Sequence, residues 1–268
     1  LNTKKQNNMS KKKRLLNKKK HNDIENNNNH QQPQIKHDKS PVVHQRGKIE
    51  HHLRILDREL TEKQKKFIEL ALDKKVKMLL VSGPAGSTKT YLSVLAALLL
   101  MNEKKVSDLL YVRSIVESAD TKMGTLPGEA DDKLSPYKRP LIDKLDELLP
   151  REDIQYLIKD ERIEGLPVGY LRGLNWNAKA VIGDEMQNCT KKELITLMTR
   201  AGEFSKIFLC GDPQQSDING RSGFQALFNL FNDDDSKEHG IYTFEFNEDD
   251  ILRSALVKFI VKKVKNLG

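Results

Sequence analysis

The sequence predicts an α/β domain around a mostly parallel, buried sheet, and three observations lead there. Short apolar runs at Met78–Val81, Leu109–Val112, Ala180–Ile182, Ile207–Cys210 and Ile241–Phe246 alternate with longer segments of helical spacing. That order places a helix between successive parallel strands. Most of these runs are apolar at consecutive positions, as strands covered on both faces are. The stretch Met78–Thr90, MLLVSGPAGSTKT, joins an apolar run to a glycine turn and then to the apolar segment Tyr91–Met101, which reads strand, loop, helix.

Composition bounds the organisation. A chain of 268 residues suits one large domain or two small ones. Residues 1–50 hold 13 Lys+Arg against 4 Asp+Glu, and the remainder 33 against 34, so the formal charge of +8 belongs to the first fifty residues. That stretch is rich in Lys, Asn, Gln and His. It cannot bury enough apolar surface to offset the entropy of ordering, so a disordered tail over 1–50 and a folded domain over 51–268 are expected. Lys11–Arg14 and Lys18–Lys20 suit nucleic-acid phosphates; equally they are solvated charge with weak affinity for any polyanion. Six of the seven histidines fall between His21 and His52 without metal spacing. Cys189 and Cys210 share no motif with them, which argues against a zinc site or disulfide framework and for a reducing compartment. No stretch reaches the ~18–20 apolar residues of a membrane span, and the basic start lacks the apolar segment of a secretory signal.

In chain order, Thr61 and Gln64 carry a capping-box signature, and Phe67, Ile68, Ala71 and Leu72 follow at helical spacing. Lys75–Lys77 separates this helix from the strand Met78–Val81. Asn102–Lys105 is a polar break. Ser114–Pro150 is expected to be irregular apart from a helix in Pro136–Leu149, striped by Leu141, Ile142, Leu145, Leu148 and Leu149. Ile154–Ile158 reads as a short helix, and Ile163–Leu171 as a strand or hairpin. Thr190–Arg200 is a helix with Thr190 as N-cap and Glu193 completing a capping box. Phe224–Phe231 reads as helix, Asn232–Glu238 as an acidic loop, and Asp249–Lys265 as a closing amphipathic helix.

Three strand ends carry chemistry. The loop Gly83-Pro84-Ala85-Gly86-Ser87-Thr88-Lys89-Thr90 matches the phosphate-loop pattern G-x-x-x-x-G-K-S/T at Gly83, Lys89 and Thr90. Its backbone amides and the following helix N-terminus suit phosphate oxygens. Lys89 adds a charge for the β- and γ-phosphates, and the Thr90 hydroxyl is a ligand for Mg²⁺. Thr88 stands where the last glycine belongs, at little cost if its φ is negative and under strain if it is positive. Asp184 and Glu185 follow the run Val181-Ile182-Gly183. Asp184 would hold Mg²⁺, and Glu185 would orient and deprotonate a water. The two acids would point apart because successive side chains of an extended chain alternate. In Gly211-Asp212-Pro213-Gln214-Gln215 the amide of Gln215 suits a γ-phosphate or the attacking water, although a plain Gly-Asp-Pro turn has the same sequence.

Together with Gln64, these motifs resemble the superfamily 1 helicase nucleotide core, and the chain is more closely similar to the PhoH family over about residues 60–262. The resemblance also rests on Arg113 with Val116-Glu117, Leu126-Pro127-Gly128, Pro136-Tyr137 with Arg139-Pro140, Tyr170–Gly173, Asp184–Asn188, Thr199-Arg200, and Asp250–Arg253. It implies a RecA-like P-loop NTPase domain that is cytoplasmic, with ATPase activity and a link to RNA. It implies Gln64 at adenine, Gly83, Gly86, Lys89 and Thr90 at the phosphates and Mg²⁺, Asp184 and Glu185 at metal and water, and Gln215 as γ-phosphate sensor. Gly183 departs from the bulkier apolar residue of the family and is expected to loosen the packing behind the acids. Helicases of this type have two such domains, the second supplying an arginine. A neighbouring subunit of a homo-oligomer, in a ring or other assembly, is therefore expected to supply it here. Arg113, Arg139, Arg172, Arg200 and Arg253 are each by default a surface charge or ion-pair partner; Arg253 is the first candidate for this role and Arg172 the next. Arg113–Arg139 is open to several roles: a binding loop over the site, a lid, an oligomer contact or a structural insertion. The leading reading is an Mg²⁺-dependent ATPase coupled to single-stranded RNA. The alternatives are an ATP-binding switch or assembly protein with little hydrolysis, and a small-molecule kinase, which the water-activating glutamate disfavours.

Overall fold

A computed structural model describes residues 47–114, 130–171 (130–136 as backbone only), 173, 175–218, 220–251, 259 and 263. Six strands form one sheet: β1 (Met78–Ser82), β2 (Asp108–Arg113), β3 (Ile163–Pro167), β4 (Lys179–Asp184), β5 (Lys206–Gly211) and β6 (Ile241–Glu245). Their order is β3-β2-β4-β5-β1-β6, and every pair is parallel. This is the α/β sheet that the consecutive apolar runs call for. β5 lies between β1 and β4, with Val81 level with Cys210 and Gly183 level with Leu209. The ends of three strands far apart in sequence therefore open side by side.

Strand alternation divides the core between two faces. Leu79, Val81, Leu109, Tyr111, Ala180, Ile182, Phe208 and Cys210 share one packed cluster with the helices α1 (Glu62–Leu72), α2 (Lys89–Asn102), α3 (Ala130–Leu148) and α4 (Arg151–Lys159). Leu80, Leu110, Val112, Val181, Ile207 and Leu209 face α5 (Lys191–Met198) and α6 (Phe224–Leu230) on the other side. α2 is buried around most of its circumference, from Tyr91 to Met101, because it lies between the sheet, α1 and α3; an all-apolar helix needs such cover. Both capping boxes expected from the sequence are present, Thr61 with Gln64 and Thr190 with Glu193.

Residues 47–60 run as an extended strap across α2, α3 and α4. Ile49 and Leu53 are fully buried, each contributing roughly 1.5–3 kcal/mol by burial. Asn102 accepts from the Leu53 amide at 2.8 Å and donates to the Leu53 carbonyl at 2.9 Å. The Leu56 amide donates to Leu148 O at 2.8 Å. Asp153 anchors the strap by accepting from the Arg54 amide and guanidinium and contacting His51. Burial alone would raise the Asp153 carboxyl, but the hydrogen bonds from Arg54 and His51 prevail and hold it at about 2.

Two expectations are revised. α3 begins at Ala130 and runs through Pro136 and Pro140, so part of the supposedly irregular stretch is helix; burial of Leu141, Leu145 and Leu148 outweighs the lost backbone donors. Residues 234–238 are a short helix, α7 (Asp234–Glu238), not an acidic loop. Asp233 caps it by accepting from the Ser236 amide at 2.7 Å, and acids in a first turn suit the helix dipole. Of the strand or hairpin expected over Ile163–Leu171, the strand is present, as β3 followed by a turn of 3-10 helix, Val168–Tyr170. The Asp249–Lys265 helix falls largely outside the described residues.

Candidate nucleotide site

The loop after β1 is shaped by its own backbone needs. Gly83 has φ +156°, and a Cβ there would stand 2.8 Å from Phe246 Cβ. Gly86 also has a positive φ, +84°. Ser87 is fully buried, and its hydroxyl donates to Pro84 O at 2.7 Å. Gly83, Pro84 and Ser87 thus build the loop from behind, while Ala85, Gly86, Thr88, Lys89 and Thr90 line a cavity of about 520 Å³. Lys89 Nζ donates to Gly83 O at 2.7 Å and Pro84 O at 2.9 Å. Burial lowers its pKa, against the pull of Cys210, Asp212, Asp184 and Glu185.

Thr88 adopts φ 65°, ψ 14°. This is the strained alternative, since a β-branched residue in the left-handed region is a true outlier. Its hydroxyl accepts from Gln64 Nε2 at 2.9 Å and donates to Ser87 O at 2.7 Å. Gln64 itself is 3% exposed, and its Oε1 accepts from the Thr61 amide at 2.9 Å. The glutamine expected at adenine is thus tied both to the start of α1 and to the phosphate loop.

The two acids sit beside that loop. Thr90 Oγ1 donates to Asp184 Oδ1 at 2.7 Å, and the Tyr111 hydroxyl donates to Asp184 Oδ2. Burial, reinforced by the Asp184 charge and hydrogen bond, keeps the Tyr111 phenol protonated by raising its pKa. Glu185 is left-handed, at φ 56°, ψ 37°. The chain leaves the extended conformation there, so strand alternation does not set the direction of Glu185 relative to Asp184. Gln187 Nε2 donates to Glu185 Oε2 at 2.6 Å, while Gln187 Oε1 accepts from the Asp212 amide at 3.0 Å. Asp212 Oδ2 accepts from the Ala85 amide at 3.0 Å. Buried Gln187 and Asp212 therefore link the acids, the β5 turn and the phosphate loop. Gln215 lines the same cavity from the 3-10 turn Pro213–Gln215.

Gly183 does not loosen the packing. A Cβ there would meet Met186 Sδ at 2.8 Å and Leu209 Cδ2 at 3.0 Å, so buried Met186 fills the space of the missing side chain. Among the described arginine candidates, Arg113 reaches the acids, with Nη2 3.9 Å from Glu185 Oε1. Arg139 pairs with Asp143 at 3.0 Å. Arg172 and Arg253 lie outside the described residues. Sequence reasoning missed Tyr111 and gave no role to Gln187 or Asp212. The latter two stood in quoted motifs. Tyr111 is found only through the register that sets it level with Ile182, two residues before Asp184.

Residues 58–265 match the family model described as PhoH-like protein. The chain belongs to the PhoH-like family. PhoH is a P-loop ATPase family, and the parallel sheet with its flanking helices fits a RecA-like P-loop domain. This PhoH-like chain is 36% identical over 181 residues to the PhoH-like protein of Mycobacterium tuberculosis H37Rv, covering 67% of this chain and 50% of that one. It is 33% identical over 182 residues to the PhoH-like protein of Bacillus subtilis, covering 67% and 56%. It is 31% identical over 183 residues to Protein PhoH of Escherichia coli K12, covering 67% and 50%. The chain thus spans about half the length of these curated relatives. Among the described residues, no helix is long and apolar enough to cross a membrane.

The site residues fit Mg²⁺. Thr90 and Asp184 bring two oxygens together at 2.7 Å, and no cluster of three or more His, Cys, Asp or Glu suited to a metal occurs among the described residues. Mg²⁺ takes few protein ligands and completes its shell with phosphates and water.

Proposed function

We propose that this PhoH-like chain is an Mg²⁺-dependent ATPase, cytoplasmic and coupled to single-stranded RNA. The observation that carries the reading is the convergence of Lys89 and Thr90, Asp184 and Glu185, and Gln215 on one cavity from β1, β4 and β5. In this reading the loop amides and Lys89 bind the triphosphate. Thr90 and Asp184 would hold Mg²⁺, which would supply positive charge against the phosphate oxygens. Glu185, steadied by Gln187, orients a water and takes its proton as the oxygen attacks the γ-phosphorus and ADP leaves. Gln215 contacts the γ-phosphate, and Gln64 reaches adenine while holding Thr88. Gly83, Pro84, Ala85, Gly86, Ser87 and Thr88 form the phosphate loop. A neighbouring copy in a homo-oligomer supplies an arginine, Arg253 first and Arg172 next. The family resemblance and the basic residues 1–50 support the RNA coupling.

Turnover of ATP with and without single-stranded RNA tests this. Activity that RNA stimulates, and that Lys89→Ala and Glu185→Gln both abolish, is the expected result. A second reading, an ATP-binding switch, is favoured by the strained Thr88. Tight ATP binding without turnover in the parent would establish it, and recovery of turnover in Thr88→Gly would locate the arrest at residue 88. Full-rate hydrolysis by a monomer in ATP and Mg²⁺ would remove the shared-arginine proposal.

A further inference from the structure

Asp184 is the last residue of β4, and the chain leaves the extended conformation at Glu185. The regular strand thus ends where its carboxylate meets the phosphate loop, and side-chain donors aim that carboxylate. Two do so from different elements. Thr90, in the first turn of α2, donates from Oγ1 to Oδ1 at 2.7 Å. Tyr111, on β2, donates from its hydroxyl to Oδ2. Register accounts for the second contact. Asp184 is level with Arg113 and Ile182 with Tyr111 on the neighbouring strand, so Tyr111 reaches along two residues of strand, about 6.6 Å. Tyrosine spans that gap and carries a donor at its tip. A phenylalanine or leucine there would serve the core equally and leave Oδ2 without this partner.

The core holds that donor in place. Tyr111 is fully buried and belongs to the cluster that contains Leu109, Ile182 and Cys210. A packed ring cannot swing its hydroxyl aside, whereas a water in its place would have to be immobilised. Asp184 itself is only partly buried, so without a fixed donor its carboxylate can turn. The arrangement also settles Thr90. A hydroxyl has one proton and two lone pairs, and with the proton committed to Asp184 the lone pairs are left to act as ligands. Thr90 and Asp184 are the residues that would hold Mg²⁺, and hydrogen bonds to a ligating carboxylate from behind tune the affinity of such a site.

We propose that Tyr111 is a positioning residue of the Mg²⁺ site: its hydroxyl fixes the Asp184 carboxylate with Oδ1 on Thr90, and so sets the Mg²⁺ concentration at which nucleotide is held. This rests on the reading of the cavity as an Mg²⁺-dependent ATP site. Tyr111→Phe deletes the hydroxyl and keeps the ring. Calorimetric binding of a non-hydrolysable ATP analogue, in EDTA and across a Mg²⁺ titration, separates metal from nucleotide without turnover. In Tyr111→Phe the half-saturating Mg²⁺ concentration is expected to rise about tenfold, with affinity in EDTA within about twofold of the parent. In an Asp184→Asn background, which has lost the charged acceptor, adding Tyr111→Phe is expected to shift the Mg²⁺ requirement by less than about twofold. A parent-like Mg²⁺ requirement in Tyr111→Phe, with the analogue bound by both proteins, would overturn the proposal and leave the nucleotide reading standing. So would an equal loss in EDTA and in Mg²⁺, which would assign Tyr111 to packing alone, or a full tenfold shift in the Asp184→Asn background. A parent that binds the analogue under neither condition would remove the nucleotide reading and the proposal with it.

Discussion

Thr88→Val isolates the contact that holds the phosphate loop in its left-handed conformation. The replacement keeps the branched Cβ and removes the hydroxyl that accepts from Gln64 Nε2 at 2.9 Å. Gln64 is 3% exposed, so its amide loses a partner that water replaces poorly; the cost is about 1–3 kcal/mol. Thr88→Gly loses the same bond but relieves a left-handed placement costing roughly 1–2 kcal/mol. Glycine returns about 0.5–1 kcal/mol of that as unfolded-state entropy. Thr88→Gly is therefore expected to lie about 1 kcal/mol above Thr88→Val, or about 2–4 °C in Tm for a domain of this size. Urea unfolding of both variants, alone and with Gln64→Ala, measures this. In the Gln64→Ala background Thr88→Val should cost little, because no stranded donor remains. Parent-like stability of Thr88→Val would show that the bond contributes nothing. Thr88→Gly no more stable than Thr88→Val would show that the loop stores no strain at residue 88.

Gln187→Ala should lower ATP turnover by about tenfold with little change in ATP affinity, since it frees Glu185 and the β5 turn without touching the phosphates; steady-state kinetics beside binding measurements decide it. Gly183→Val should destabilise the fold by about 1–3 kcal/mol in urea unfolding, because its side chain competes with Met186 and Leu209. Lys206 is buried, and its amine donates to Ala71 O at 2.8 Å at the end of α1. Burial lowers its pKa to about 8. Between about pH 8 and 10.5 the unfolded chain then binds more protons at this site than the folded one, so stability rises with pH there. Lys206→Met should flatten that rise relative to the parent, and parallel pH profiles would refute the assignment.

Much of this protein was legible in local pattern. Consecutive apolar runs separated by amphipathic segments argued for a doubly covered, mostly parallel sheet. Thr61 with Gln64 and Thr190 with Glu193 announced their helices because a capping box is satisfied within four residues. The glycines of the phosphate loop and the acids after Ile182 were visible because their chemistry is carried by neighbours in sequence. The start of α3 at Ala130, ahead of Pro136, was hidden because tertiary burial overrode a local penalty, and α7 because acidic composition reads alike in a loop and a capped turn.

Within the site, the sequence by itself determined which side chains were present: a phosphate loop with Lys89 and Thr90, a pair of acids, and Gln215 on a third turn. Tertiary structure decided how they meet. Placing β5 between β1 and β4 set Asp212 against the Ala85 amide and Gln187 between Glu185 and the β5 turn. Register brought Tyr111 to Asp184, and packing turned Gly183 from a supposed gap into the seat of Met186. The sign of φ at Thr88 and at Glu185 was settled in the same way. Each choice depends on groups distant in sequence whose combined packing and hydrogen bonds outweigh the local preference of a single residue, so none could be read from spacing alone.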